Sequence, residues 1–118
     1  MDKLKQDCLF CDIIKKEAHS AVVYEDARTL AFKDIYPQAP VHIIIVPKIH
    51  IDKMIDVTEE TVGYCADMLL RANELAKEFK IDQDGFRLVF NCDEYGGQTI
   101  YHIHMHLLGG RRMTWPPG

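Results

Sequence analysis

Helical spacing, alternation and turn-forming clusters divide this chain into short elements. Leu9, Phe10, Ile13 and Ile14 share one side of the stretch 9–17, which reads as a short amphipathic helix. The stretches 21–24 and 29–32 read as two strands joined by the polar turn 25–28. Pro37 and Pro40 make 36–40 a loop, because neither can donate to a ladder. The β-branched run 41–46 predicts a central strand buried on both sides and ended by Pro47. The spacing predicts a long helix over 58–80, with Thr58 as N-cap and Glu59 and Glu60 in its first turn. Its apolar stripe runs through Val62, Cys65, Leu69, Ala72, Ala76 and Phe79. After a break at 82–85, a strand over 86–91, a turn over 93–97 and a last strand over 101–108 follow. Five strands with one long and one short helix predict an α+β fold with an antiparallel sheet, a single domain over 1–118.

Composition narrows what such a domain does. The chain is 47% hydrophobic and 27% charged, an ordinary globular mixture. No apolar run approaches the roughly 20 residues of a bilayer span, so a membrane partner is not expected. The net charge of −4 disfavours a polymeric nucleic acid, which calls for a basic surface. A ligand with one or two phosphates stays compatible with it. The N-terminal stretch leads into no secretory apolar region, so a cytoplasmic protein is expected, with the nucleus also open to it. Thiols then stay reduced or bind metal: Cys65 and Cys92 read as fillers, whereas Cys8 and Cys11 form a C-x-x-C pair.

The strongest chemical signal is His102-Ile103-His104-Met105-His106. On a strand, alternate residues face one side, so the three imidazoles line a common face; on a helix they would scatter. Such a cluster suits either a metal or nucleophilic imidazole chemistry at phosphorus. The segment Gly96-Gly97-Gln98-Thr99 just upstream favours the second, since glycine amides approach anions closely.

The motif His102 to Leu108 resembles the signature of the histidine triad superfamily. The stretches 32–42 and 46–50, Asn91, 96–99 and the tail ending Trp115-Pro116-Pro117-Gly118 are similar to its nucleotide-binding branch. The resemblance implies a homodimer whose two five-stranded sheets join into one of ten strands. It implies hydrolysis of purine nucleoside phosphoramidates, with a purine nucleoside monophosphate such as AMP as product. By motif position, His104 is the implied nucleophile and His106 the group that meets the phosphate and leaving amine. Asn91, Gly97 and Thr99 are implied phosphate contacts, with Thr99 and His102 counted among the catalytic set. Asp34 is the implied ribose ligand, and His42 supports the triad or the nucleotide. Leu9, Phe10, Ile13, Phe32 and Ile35 are the implied purine slot. Relatives with a C-x-x-C pair hold structural zinc, which would here fall to Cys8, Cys11, His50 and His102. A nucleotide-binding adaptor, a dinucleoside polyphosphate hydrolase and a hydrolase with zinc on His102, His104 and His106 are the alternatives. His19 belongs to none of these motifs and is expected to be exposed.

Overall fold

A computed structural model describes residues 3–118. Its strands are β1 (Val22–Glu25), β2 (Thr29–Lys33), β3 (Val41–Pro47), β4 (Phe86–Phe90) and β5 (Met105–Gly109). They form one sheet in the order β1-β2-β3-β5-β4, every neighbouring pair antiparallel. The last strand therefore inserts between β3 and β4. Two helices complete the fold, α1 (Leu9–Ile14) and α2 (Val62–Glu78). No helix among the described residues is long and apolar enough to cross a membrane.

The period of two in each strand sends alternate residues into two separate cores. Ala31, Ile43, Ile45, Met105 and Leu107 pack under α2 against Met68, Ala72, Leu75 and Ala76. Leu30, Phe32, Ile44 and Val46 take the opposite face, under α1, with Phe10, Cys11, Ile13 and Ile14. β3 is thus buried on both sides, as its apolar run predicts. The ladders align Phe32, Ile44, His106 and Val89 in one row across the α1 face.

Two elements differ from expectation. The long helix begins at Val62 with Thr61 as N-cap, because Thr61 Oγ1 accepts from the Thr58 amide at 2.9 Å and closes a separate turn. Its buried stripe runs through Tyr64, Met68, Ala72, Leu75 and Ala76, leaving Val62 and Leu69 exposed. The helix is apolar on two adjacent sides, so spacing alone leaves its rotation open. The last strand begins at Met105, not Tyr101, which puts His102 and His104 ahead of the ladder. β4 leaves after Phe90, and beyond Ile45 the β3 residues pair only with β2. The segment keeps its alternation, anchored by the Ile103 amide donating to the Ile51 carbonyl at 2.8 Å.

Candidate active site

His104 is buried, and its ring sits 5.0 Å from Phe10 and 5.1 Å from His106, centroid to centroid. Phe10 also packs edge-on against Phe32 at 5.4 Å. His42, on β3, reaches His106 on β5 with a ring nitrogen separation of 2.9 Å. Asp34, just past β2, lies 3.4 Å from the same His42 nitrogen and accepts the Tyr36 amide at 2.7 Å. His42, His104, His106, Asp34, Phe10 and Phe32 therefore converge.

Backbone partners settle where the imidazole protons are. The Gln38 amide donates to His42 Nδ1 at 3.0 Å, so His42 carries its proton on Nε2. That Nε2–H donates to His106 Nδ1, which places the His106 proton on Nε2. His104 Nδ1–H donates to the His102 carbonyl at 2.7 Å, leaving His104 Nε2 bare. Neutral rings are what this burial demands. Burial pushes His104 and His42 below the ordinary imidazole range, Asp34 opposing the shift in both. His106 is pushed down to about 4, first by burial and then by the facing His104 and His42.

The third triad ring turns elsewhere. His102 is fully buried, and its Nε2–H donates to the Pro47 carbonyl at 3.1 Å. Its bare Nδ1 faces Cys8 Sγ and Cys11 Sγ, both at 3.5 Å. His50 Nδ1 stands 3.4 Å from Cys11 Sγ, while His50 Nε2–H donates to Asp52 Oδ1 at 2.6 Å. All four ligand atoms lie within 4.8 Å of one another. Tetrahedral zinc, with bonds of about 2.3 Å to sulfur and about 2.1 Å to nitrogen, puts S and N about 3.6 Å apart. These three sulfur–nitrogen edges match this within about 0.2 Å, and both imidazoles have an outer partner that fixes the metal-facing tautomer. The residues fit zinc. Burial raises the Cys11 thiol to about 11, so a thiolate there calls for a cation beside it. Among the described residues, no cluster able to hold a cation includes His104.

The glycine segment forms the turn that precedes the histidines. Gly97 adopts φ 80°, and the Asn91 side-chain amide donates to the Gly96 carbonyl at 2.7 Å. Thr99 is exposed beside it. No hydrogen bond among the described residues joins Asn91, Gly97 or Thr99 to an imidazole. Of the implied purine slot, Ile13 is buried on the inner side of α1, whereas Leu9 is 52% and Ile35 80% exposed, so those two stand outside the packed core. His19 is exposed. Cys65 and Cys92 are free and half-buried.

Three contributors escape a reading by residue type. Gln98 is buried, accepts the Asp93 amide and donates to the Asp52 and Ile100 carbonyls, locking the glycine turn to the segment after His50. Asp52 orients His50, and its only signal in the sequence is the two-residue spacing. The Gln38 contribution is a backbone amide, which no side-chain pattern reports.

An antiparallel sheet carrying converging imidazoles beside an N- and S-donor cluster defines a histidine-based site with a separate metal-binding corner. The chain belongs to the HIT family: the HIT domain matches residues 15–113. It is similar to the purine nucleoside phosphoramidase of Escherichia coli, 44% identical over 108 residues that cover 92% of this chain and 91% of that one. It is also similar to the 14 kDa zinc-binding protein of Brassica juncea, 46% identical over 114 residues, 95% of this chain and 100% of that one. The crystal structure of a HIT family hydrolase from Legionella pneumophila superposes with a TM-score of 0.93 at 52% identity, covering 95% of this chain and 100% of that one.

Proposed function

We propose that this protein hydrolyses purine nucleoside phosphoramidates through a nucleotidyl-histidine intermediate. The observation that carries the reading is the bare Nε2 of His104, held by the Nδ1–H bond to the His102 carbonyl and flanked by His106. His104 Nε2 attacks the α-phosphorus, and the phosphorus–nitrogen bond to the amine breaks. The Nε2–H of His106 meets the departing nitrogen and supplies its proton. Water then attacks the phosphorus and returns a proton to His106 Nε2, releasing the nucleoside monophosphate and restoring both rings. Asn91, Gly97 and Thr99 hold phosphate oxygens from the glycine turn. Asp34 accepts the ribose hydroxyls, and Phe10, Ile13 and Phe32 form the floor of a purine slot with Leu9 and Ile35 at its rim. The 44% identical phosphoramidase relative supports this substrate class.

Zinc on Cys8, Cys11, His50 and His102 would supply a crosslink between α1 and the triad segment rather than Lewis acidity at phosphorus. His104 and His106 would then keep their lone pair and proton for the substrate. The protein works as a homodimer in this reading. Turnover of adenosine 5′-phosphoramidate tests it: the wild-type chain releases AMP, and His104→Ala lowers the rate by more than about a thousandfold. Wild-type protein that binds AMP but never turns the phosphoramidate over would instead support a nucleotide-binding adaptor. Faster cleavage of a dinucleoside polyphosphate would move the assignment to that substrate.

A further inference from the structure

The residues that set the His106 proton do not end at His42. The Gln38 amide donates to His42 Nδ1, and the Gln38 carbonyl accepts two bonds from Arg111, from Nε at 3.1 Å and Nη2 at 3.0 Å. Arg111 lies two residues beyond β5. Between them, Gly110 adopts φ 90°, and a Cβ there would stand 2.8 Å from Pro40 Cβ. The chain after β5 thus grips the proline loop at two adjacent points.

We propose that Arg111 is a positioning residue for the reaction, clamping the Gln38 carbonyl so that the Gln38 amide meets His42 Nδ1. The proton pattern then passes from Gln38 to His42 and from His42 to His106. Pro37 and Pro40 fix their own φ, and Pro40 restricts Ala39 before it, but the angles of Gln38 stay free, so the loop alone does not aim this amide. Two donors from one planar guanidinium fix both position and direction of the carbonyl, which a single bond would not. Arg111 is exposed and packs no core, so replacing it leaves the fold standing. The inference rests on the proposed role of His106 as donor to the leaving group.

The test reads the ring nitrogens of His42 and His106 by 15N NMR in the resting protein, beside kcat and KM. The expected wild-type pattern is a bare Nδ1 and a protonated Nε2 on both rings. Arg111→Ala is expected to move both Nδ1 signals toward a tautomer average and to lower kcat by about tenfold with KM nearly unchanged. Arg111→Lys, keeping one donor, restores part of both. Unchanged nitrogen signals in Arg111→Ala overturn the clamp, whether or not kcat falls, as does a wild-type pattern with Nδ1 protonated. A nitrogen shift in a chain with no phosphoramidate turnover would sustain the clamp and sink the proposed reaction.

Discussion

At the scale of single residues, protons matter more than positions. His106 is half-buried against two other imidazoles and is pushed down to about 4, against 6.5 for an unhindered ring. Between those values the unfolded chain binds the proton that the folded chain refuses. Stability is therefore complete above about pH 6.5 and falls as the pH drops toward 4. Denaturant titrations at pH 7.5 and 5 should show wild type losing about 1–2 kcal/mol through this group, and His106→Asn losing correspondingly less. The alternation of the three histidines announces which rings share a side. It does not announce that His102 gives its ring to the sulfur cluster and its carbonyl to His104. Those partners, Cys8, Cys11 and His50, arrive from distant parts of the chain, and only the family resemblance assembled them.

At the scale of elements, short apolar runs between turn signals foretell the strands, and β3 best of all, because an unbroken β-branched run has few other homes. Two features are illegible for a physical reason. The rotation of α2 depends on which of two apolar stripes meets the sheet, and the start of β5 depends on where its neighbours stop pairing. The sheet's close fit also gives a stability test. A Cβ at Gly109 would lie 2.5 Å from Ile81 Cδ1 and 3.0 Å from Ile81 Cβ, so Gly109→Ala should cost about 1–3 kcal/mol by thermal or denaturant unfolding. The corner that joins α1 to the triad segment gives another. Elemental analysis of the purified protein should find one zinc per chain, with little left in Cys11→Ser and no loss in Cys92→Ser. Chelation should lower the Tm by about 5 °C.

At the scale of the whole molecule, two features lack a covering element among the described residues. The outer edge of β4 has no strand of the described chain beside it, and α2 presents Val62, Leu69 and Leu70 about half exposed to solvent. Both are surfaces that the second copy of the proposed homodimer would cover. Sedimentation at micromolar concentration should return about twice the 13.6 kDa of one chain. The sequence points to a second copy only through its family likeness, since exposure of an apolar side chain is decided by the folded neighbours.

The period of two that gives β5 a histidine on one side and Met105 and Leu107 on the other also partitions the effects of mutation. Damage beneath α2 should reach the phenotype as lost abundance alone, whereas damage on the α1 side, which carries a core of its own together with the imidazoles, should cost turnover as well. A saturation scan scored for both quantities would thus split along the plane of the sheet. Such insulation lets a lineage alter the chemistry of the imidazole side without renegotiating the interior beneath α2.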